Sequence, residues 1–329
     1  MKVSVIVTVL NEGPAIERLL ESLAGQSYPP DEVVIVDGGS TDGTVAVLQA
    51  WAVAGRLHLK IVRRPGANIS EGRNAAIAAA TGEIIASTDA GVWLEPGWLE
   101  ALVTPFLDER GPPVAVVAGW FVAEPHTAFE AAMGATVLPR LREVNAGTFL
   151  PSSRSVAFRK EAWQAVEGYP EWLDYCEDLV FDLRLRELYG LFPFAPEARA
   201  HFRPRADLQS FWKQYYRYAR GDGKADLWRR RHAIRYVTYL VLVPGLVVLA
   251  LVHLPWWWLA LAAGAAAYTA TPYRRLWPSL ASYGLLDRLK ALFLVPVIRL
   301  VGDVAKVAGY PVGLVWRWRN RHRPEIHWR

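Results

Sequence analysis

Thirty-eight consecutive residues without Asp, Glu, Lys or Arg, at positions 236–273, constrain this chain more than any other feature. At about 1.5 Å per residue, a helix of that length would be roughly 57 Å long, close to two crossings of a ~30 Å hydrocarbon core. The sequence HLPWWW, at 253–258, lies at the midpoint, and its proline offers a place to turn. We therefore predict a transmembrane helical hairpin, with helices at about 236–254 and 256–273.

The residues that border this run agree with a hairpin that enters a bilayer and returns. Trp256, Trp257 and Trp258 would lie at one interface, where amphipathic rings are favoured. The run is preceded by WRRRHAIR and followed by YRR, and positively charged flanks are typical of the cytoplasmic side. The alternative is a pair of helices buried in a soluble domain.

A third apolar region, at about 285–316, carries charges and is predicted to lie in the membrane surface. Arg299, Asp303 and Lys306 are spaced by four and three residues, which places them on one helical face. This stripe argues against a third crossing and for an interfacial helix, followed by a basic tail, WRWRNRHR, that binds lipid headgroups. A basic, aromatic-rich tail could instead hold nucleic acid, but beside a membrane hairpin membrane lipid is the simpler partner.

Charge divides the chain into an acidic part and a basic part. Residues 229–329 contain fifteen Lys and Arg against three Asp and Glu, a net charge of +12; because the whole chain carries +5, residues 1–228 carry −7. An acidic globular part would repel phosphate backbones, which argues against nucleic acid as a partner. Cys176 is the only cysteine, so an intrachain disulfide is excluded, and no zinc-ligand cluster stands out in the sequence.

The first residues do not resemble a signal peptide. Lys2–Leu10 is short and β-branched, and Asn11-Glu12 interrupts it. We therefore expect the globular part to stay in the cytoplasm, with the protein held at the cell membrane on its cytoplasmic face.

Residues 1–120 alternate between strand-like and helix-like segments. The predicted strands are VSVIVTVL, EVVIVD, HLKIV, GEIIAST and VAVVAG, and the predicted helices cover 14–25, 43–54, 71–80 and 96–108. Strands that alternate with helices imply right-handed crossovers and a parallel sheet covered on both faces. The predicted fold class is therefore α/β, with a Rossmann-like, mostly parallel sheet and helices on both faces, followed by the membrane segments.

Polar residues follow three of these strands at the point where each strand ends. Asn11 and Glu12 follow the first strand, Asp37 ends the second, and Asp89, in EIIASTDAG, ends the fourth. Ligands of such sheets bind beyond the carboxyl ends of the strands, so three polar strand ends indicate one site. The loop DGGSTDGT, at 37–44, has glycines for a tight turn and a helix-capping hydroxyl, and alone it could be an ordinary capped loop. The sequence contains neither a GxGxxG fingerprint after the first strand nor a Walker lysine motif.

Four segments resemble the family 2 glycosyltransferases in both order and spacing. They are VSVIVTVLNE, VVIVDGGSTDGT, GRNAAIAAATGEIIASTDAG and GYPEWLDYCEDLVFDLRLRELYG. The resemblance covers about residues 1–225 and implies a GT-A domain, with a nucleotide-sugar-binding half at 1–120 and an acceptor half at 121–225. Residues 226–329 would form the membrane domain.

The resemblance also implies a donor site and a cofactor. The residues implied to bind the donor in this half are Asn11, Glu12, Asp37, Arg73, Asn74 and Asp89. Glu12 and Asp37 would contact the nucleoside, and Asp89 would be the first acid of the DxD motif, which helps to hold ribose and metal-bound diphosphate. Gly91 stands where the second acid would be. His201 resembles a metal-ligating histidine of some relatives, although it could equally be a loop or core histidine. The implied cofactor is a divalent cation, Mn²⁺ or Mg²⁺, bound by Asp89 and His201.

Glu177 and Asp178 resemble the family's ED pair and are the implied catalytic residues. In that pair, the acid at the position of Asp178 is the general base of inverting transfer. Such a base removes the proton of the acceptor hydroxyl as its oxygen attacks the anomeric carbon. Without the resemblance, the two acids would suit the first turn of a helix at 177–189, and both interpretations can hold together.

The segment QYYRYARGDG, at 214–223, resembles the Q-x-x-R-W element of membrane-bound synthases, with Tyr218 in place of Trp. Gln214 and Arg217 share a helical face that Arg220 continues, and the resemblance implies that these residues close over the donor. The segment could instead be a basic helix that touches lipid headgroups. The change to Tyr218 leaves open whether synthesis is processive.

These inferences combine into one functional hypothesis. The chain would be an inverting glycosyltransferase that moves a sugar from a UDP- or GDP-sugar to a hydroxyl of a lipid-linked or membrane-presented acceptor. A polyprenyl-phosphate sugar synthase is the alternative within the class; there the attacking phosphate is already ionised and needs no base. A non-catalytic membrane scaffold that binds a nucleotide is the alternative from another class.

Overall fold

The computed structural model describes residues 1–108 and 110–328, which form two compact units. The first, the α/β unit, comprises Met1–Glu124 and Leu141–Arg203, together with Trp328. The second, the helical unit, comprises Pro125–Arg140 and Pro204–His327. The helix at 208–225, which the sequence groups with the globular domain, therefore lies in the helical unit.

Eight strands and twelve α-helices make up the described chain. The strands are β1 Val3–Val9, β2 Glu32–Asp37, β3 Leu59–Arg63, β4 Ile84–Asp89, β5 Val92–Leu94, β6 Val116–Ala123, β7 Val156–Arg159 and β8 Phe194–Phe202. The helices are α1 Ile16–Ala24, α2 Thr44–Ala54, α3 Ile69–Ala79, α4 Trp98–Leu107, α5 Ala128–Val137, α6 Lys160–Ala165, α7 Glu177–Tyr189, α8 Leu208–Ala225, α9 Arg229–Val237, α10 Val243–Val252, α11 Trp257–Leu276 and α12 Leu285–Arg319.

All eight strands join one sheet in the order β3-β2-β1-β4-β7-β6-β8-β5. The first four are parallel neighbours, as the alternation of strands and helices predicts. Beyond these strands the sheet is mixed: β6 is parallel to β8, whereas β7 is antiparallel to both β4 and β6, and β5 is antiparallel to β8. The antiparallel strand β7 lies between β4 and β6 and separates the four parallel strands from the second parallel pair, β6 and β8.

Apolar side chains on both faces of the sheet bury its central strands. Every residue of β2 is buried, and in β1 all but one are, the pattern expected of strands covered on both faces. One core packs α1, α2 and α4 against one face; the other packs α3 and α7 against the opposite face. The polar ends of β1, β2 and β4 consequently emerge at one edge of a rigid sheet.

The predicted helices of the α/β unit are confirmed to within two residues at most ends. α3 starts two residues before its predicted position because Asn68 and Glu71 form a capping box. The Asn68 side chain accepts the Glu71 N–H at 3.0 Å, and the Glu71 carboxylate accepts the Asn68 N–H at 2.8 Å. α7 begins at Glu177 and ends at Tyr189, as predicted.

Both helices of the predicted hairpin are present in the helical unit. α9 and α10 are joined through a π-helical turn, Thr238–Leu242, into one segment, and α11 follows after residues 253–256. The two arms touch where the hydroxyls of Tyr239 and Tyr268 lie 2.8 Å apart. Within the described residues, one helical segment, Arg229–Val252, is long and apolar enough to cross a membrane, with a mean hydropathy of 2.0. That both arms cross the bilayer stays a prediction.

The third predicted helix is present as α12, and its position in the membrane surface stays a prediction. Asp303 binds Arg235 at 2.9 Å and also accepts the Tyr268 hydroxyl. The Lys306 ammonium lies 3.5 Å from Asp303, and Arg299 stacks on the Tyr268 ring. These charges therefore face neighbouring helices rather than lipid headgroups. Large apolar side chains of α12 are exposed instead: Leu285, Leu286, Leu289, Phe293, Leu300 and Val304.

Glycines allow α12 to lie directly on α8. A Cβ atom at Gly309 would collide with the carbonyl oxygen of Tyr216, and one at Gly313 with that of Arg220. Gly223 of α8 faces Tyr310 in the same way. Small residues at such crossings let two helix backbones approach closely, so this pair forms the centre of the helical unit.

Candidate active site

Hydrogen bonds join the loop after β1 to the loop after β2. The Asn11 side chain accepts the N–H of Thr41, and the Asn11 N–H donates to the Ser40 hydroxyl, both at 2.9 Å. Asn11 adopts a left-handed backbone conformation, with φ of 56°, which asparagine tolerates better than most residues. The Glu12 N–H donates to the Thr44 hydroxyl at 3.0 Å. These hydrogen bonds hold the two predicted donor-binding loops against each other.

Asp37 is buried at the end of β2 and shapes the loop that follows it. Its carboxylate accepts the N–H groups of Gly39 at 3.2 Å and Ser40 at 3.0 Å. Arg63, at the end of β3, approaches it to 3.7 Å. Asp37 therefore holds the turn in place, and its predicted contact with the donor's nucleoside stays a prediction.

Arg73 lies at the centre of the candidate site and joins two acids from distant parts of the chain. Its side chain, in α3, is only 3% exposed. Nη2 donates to Asp89 Oδ1 at 2.9 Å, and Nη1 donates to Glu177 Oε1 at 2.6 Å. The guanidinium also lies over the ring of Tyr169, 5.3 Å from its centroid. Arg73 consequently fixes the end of β4 beside the start of α7.

Burial and charge act in opposite directions on this ion pair. Burial favours the neutral forms of both Arg73 and Asp89. The carboxylates of Asp89 and Glu177 nevertheless raise the pKa of Arg73, and Arg73 together with Arg154 lowers the pKa of Asp89. Both groups of the pair are therefore charged at neutral pH.

Glu177 and Asp178 occupy the first turn of α7, where carboxylates interact favourably with the helix dipole. Cys176, immediately before them, has a left-handed backbone with φ of 65°, so the chain turns sharply into the helix. Asp178 is half-buried, and its Oδ1 accepts the Leu179 N–H at 2.8 Å.

Three acids, Glu177, Asp178 and Asp182, lie in the first half of α7 and differ in how deeply they are buried. Burial, and then the nearby charge of Asp178, raises the pKa of Glu177 although Arg73 opposes the shift. The same two causes raise the pKa of Asp182 well above its ordinary value. Asp182 is 3% exposed, and its Oδ2 has no hydrogen-bond partner among the described residues. Asp178 is the least buried of the three.

Arg154 is a site residue that the sequence analysis missed. It precedes β7, and its carbonyl accepts the Thr88 hydroxyl at 2.9 Å, which fixes its backbone beside the end of β4. Its Nε lies 3.4 Å from Asp89 Oδ2, and its guanidinium lies 4.7 Å from the centroid of the Phe202 ring. Arg154 falls in PSSRS, outside the four recognisable segments, so no sequence signal marked it.

Asn74, predicted to bind the donor, is engaged by protein groups. Its Oδ1 accepts the Tyr169 N–H at 2.9 Å and the Trp163 Nε1–H at 3.0 Å. Its Nδ2 donates to the Tyr169 carbonyl and to Glu171, both at 2.9 Å. Asn74 therefore positions α3 against residues 163–171, and a contact with the donor stays a prediction.

His201 has protein partners on both sides. Its Nε2 lies 2.8 Å from Glu95 Oε1, and its ring stacks on Trp93 with centroids 4.0 Å apart. Its Nδ1 lies 3.8 Å from a carboxylate oxygen of Glu124. These contacts favour the alternative of a structural histidine, and its predicted metal ligation stays a prediction.

The groups around Asp89 do not fit a divalent cation. Both carboxylate oxygens of Asp89 face guanidinium nitrogens, at 2.9 and 3.4 Å. Gly91 offers no side-chain ligand, whereas Mn²⁺ and Mg²⁺ require several oxygen ligands. Within residues 1–108 and 110–328, no group of three or more His, Cys, Asp or Glu side chains is arranged to hold a metal ion. Glu12 lies closest to Gly91, with its Oε2 3.9 Å from the place that a Cβ would take.

The remaining predicted residues, Gln214, Arg217 and Arg220, lie on α8 of the helical unit. Gln214 donates to the Tyr218 hydroxyl at 2.8 Å, so the residue that replaces the family's Trp is hydrogen-bonded to the first residue of the motif. The predicted role of these three side chains in binding the donor stays a prediction.

Comparison with known sequences identifies what this chain resembles. The sequence profile described as "Glycosyl transferase family 2" matches residues 4–155. Succinoglycan biosynthesis protein ExoA of Rhizobium meliloti (strain 1021) is 29% identical over 236 residues, which cover 69% of this chain and 70% of that protein. The uncharacterized glycosyltransferase YibD of Escherichia coli (strain K12) is 31% identical over 123 residues, or 37% of this chain and 36% of YibD. The match thus spans about a third of YibD.

Solved structures share the fold. The mannosyltransferase PcManGT from Pyrobaculum calidifontis, solved with GDP-Man and Mn²⁺, superposes with a TM-score of 0.55 at 23% identity, over 93% of this chain and 87% of that one. GalNAc-T7 with UDP, GalNAc and Mn²⁺ has a TM-score of 0.50 at 15% identity, over 68% of this chain and 48% of that one. At these identities the likeness shows the GT-A fold alone.

Proposed function

Because the chain belongs to glycosyl transferase family 2, we propose that it is an inverting glycosyltransferase of the cytoplasmic membrane face. It transfers a sugar from a nucleoside-diphosphate sugar to a hydroxyl group of a lipid-linked or otherwise membrane-presented acceptor. The donor carries UDP or GDP, the nucleotides bound by the structural neighbours.

The observation that carries the proposal is the position of Arg73 between Asp89 and Glu177. Asp89 ends a parallel strand, at the edge where ligands of such sheets bind. Glu177 begins α7 and is followed directly by the half-buried Asp178. One buried guanidinium, with contacts of 2.9 Å to Asp89 and 2.6 Å to Glu177, thus connects the donor side of the site to the residue directly before the proposed base, Asp178.

The proposed reaction is a single displacement. The oxygen of the acceptor hydroxyl attacks the anomeric carbon, and its proton passes to the Asp178 carboxylate. The new carbon–oxygen bond forms as the bond to the donor's diphosphate breaks, and the electron pair of that bond remains on the diphosphate oxygen. One carboxylate is enough for this inverting route, whereas a double displacement would need a second one as nucleophile.

Exposed apolar side chains in the helical unit support attachment to a membrane. Between 63% and 71% of the residue surface is exposed in each of Leu240, Val241, Leu251 and Val252. In the most apolar 18 residues of the helical segment Arg229–Val252, only 6% are buried. Soluble proteins rarely expose apolar surface of this extent. A bilayer is the solvent that such a surface requires, and the basic flanks of the hairpin favour a cytoplasmic α/β unit.

Donor turnover by the full-length protein in membranes tests the proposed chemistry. Asp178→Asn should lower the rate of nucleoside-diphosphate release by about 10²- to 10⁴-fold, the usual contribution of a general base. Asp89→Ala should weaken donor binding as well as turnover. Asp108→Asn is the matched control, because Asp108 is an exposed acid beside Arg110. Full activity in either site variant, with melting temperatures unchanged, would remove this mechanism.

Membrane attachment is tested by introducing one positive charge into the predicted membrane helix. Val248→Arg should shift the protein from the carbonate-resistant membrane pellet toward the extractable fraction, since Val248 is 56% exposed near the middle of the predicted helix and Arg at a bilayer centre costs about 3 kcal/mol. Val53→Arg is the control, because Val53 is 89% exposed on the α/β unit. Equal retention of both variants in the pellet would argue against insertion of this helix.

A further inference from the structure

The end of β4 lacks the acid that would complete a metal site, and it holds an arginine instead. Gly91 occupies the position of the missing carboxylate. Arg154 places Nε 3.4 Å from Asp89 Oδ2. A diphosphate that leaves the donor gains negative charge, which a cation or preorganised hydrogen-bond donors must stabilise. The chain therefore has a positive group beside Asp89, the acid that remains at the end of β4.

Arg154 and Arg73 differ in what their charge is used for. Arg73 is 3% exposed, and its charge is divided between Asp89 and Glu177. Arg154 is 26% exposed and approaches Asp89 through Nε. A guanidinium has five N–H donors in a planar fork, a shape that pairs with two phosphate oxygens at once. Arg154 thus combines a firm anchor with access to a ligand.

Contacts with Thr88, Phe202 and Ser152 help to hold Arg154 at this place. Its carbonyl accepts the Thr88 hydroxyl at 2.9 Å, one residue before Asp89. Its guanidinium lies over the Phe202 ring at 4.7 Å, an arrangement that stabilises a cation without neutralising it. Its Nη1 reaches the Ser152 hydroxyl at 3.4 Å, a long contact that is easily exchanged for a stronger acceptor.

We propose that Arg154 binds the diphosphate of the donor directly and takes the place of a divalent cation, so that donor binding by this chain does not require a metal. The proposal rests on the proposed function, because it concerns the same donor site. In the transfer step, the electron pair of the breaking sugar–oxygen bond passes to the diphosphate oxygen, and the Arg154 guanidinium stabilises the charge that forms there.

Calorimetric titration of the full-length protein with UDP and with GDP, in EDTA and in Mn²⁺, tests the proposal. We expect one nucleotide to bind in EDTA, with a dissociation constant that Mn²⁺ changes by less than about threefold. Arg154→Met should weaken that binding by about tenfold to hundredfold, the loss typical of one charge-assisted pair. Arg154→Lys should retain part of the affinity, because a lysine supplies the charge without the fork.

Arg110→Met is the matched control, since Arg110 is 92% exposed and pairs only locally with Asp108; it should bind nucleotide like the parent chain. Melting temperatures establish that each variant is folded.

Binding that requires Mn²⁺ and is unaffected in Arg154→Met would overturn the proposal; a further loss in Glu12→Gln would then place the cation at Asp89 and Glu12. Donor turnover that survives in the same preparation would leave the proposed function intact. Absence of both nucleotide binding and turnover would reject the two together.

Discussion

The α/β unit and the helical unit each bury a charged group with several partners, and the two groups differ in what they connect. Arg73 holds two carboxylates, at the end of β4 and the start of α7. Asp303 is 14% exposed and holds Arg235 and Lys306, with tyrosines from both arms of the hairpin. Arg73 lies at the edge of the sheet where ligands bind, whereas Asp303 ties helices together. A buried ion pair by itself therefore does not mark a site; its place in the fold does.

Removal of the Arg73 charge should have the largest effect on stability and tests whether its two ion pairs support the α/β unit. Arg73→Met leaves Glu177 buried without its cation and Asp89 with Arg154 alone, so the free energy of unfolding should fall by about 3–5 kcal/mol. Urea denaturation in detergent, followed by tryptophan fluorescence, measures the change. The exposed Arg110→Met should alter stability by less than about 0.5 kcal/mol. Equal effects of the two variants would mean that the Arg73 contacts do not support the fold.

Asp303→Asn tests whether the second ion pair is only structural. The variant keeps an oxygen that accepts hydrogen bonds but loses attraction to Arg235 and Lys306, so we expect a loss of about 1–3 kcal/mol in unfolding free energy. Nucleoside-diphosphate affinity should stay within about twofold of the parent value. A loss of affinity without a loss of stability would contradict the division of roles between the two units.

An aspartate in place of Gly91 tests whether Arg154 substitutes for a metal ion at the end of β4. A Cβ at Gly91 would meet only Glu12 Oε2, at 3.9 Å, so an aspartate fits there. In an Arg154→Met background, Gly91→Asp should recover about tenfold in nucleotide affinity in the presence of Mn²⁺ and none in EDTA, because two carboxylates can then hold the ion. If this double variant binds nucleotide equally well with and without Mn²⁺, the proposal that Arg154 takes the place of a metal ion would be contradicted.

Two buried glutamates of the α/β unit should respond to pH with opposite signs. Hydrogen bonds from Ser4 and Thr81 outweigh burial and lower the pKa of Glu32 to about 2. Its stabilisation is present in full above the unfolded pKa of 4.5 and is lost as the pH falls toward 2. Burial raises the pKa of Glu177, so its ionisation costs stability as the pH rises above 4.5.

Unfolding titrations of Glu32→Gln and Glu177→Gln between pH 3 and 7 test these signs. The advantage of the parent chain over Glu32→Gln should grow with pH by about 1–2 kcal/mol, while its stability relative to Glu177→Gln should decline with pH. Parallel pH profiles for the two variants would show that burial and hydrogen bonding do not control these carboxyl groups.

Helices and strands could be predicted from the sequence far better than the contacts of charged side chains. α7 begins at Glu177 and ends at Tyr189 as expected, because apolar spacing and first-turn acids are local signals. The stripe of Arg299, Asp303 and Lys306 was correctly placed on one helical face, but spacing alone did not reveal that this face meets neighbouring helices. Arg154 was missed for a related reason: no motif surrounds it, and only folding brings it to Asp89.

The amino-acid sequence alone determined the parallel half of the sheet, the polar strand ends at Asn11, Asp37 and Asp89, and the uncharged run at 236–273. Each of these follows from the period and chemistry of neighbouring residues. Only the tertiary structure decided that β7 enters antiparallel between β4 and β6, that Arg73 joins Asp89 to Glu177, and that a second arginine, Arg154, lies beside Asp89. These contacts join residues up to 104 positions apart, and their energies depend on burial and distance, which no short stretch of sequence contains.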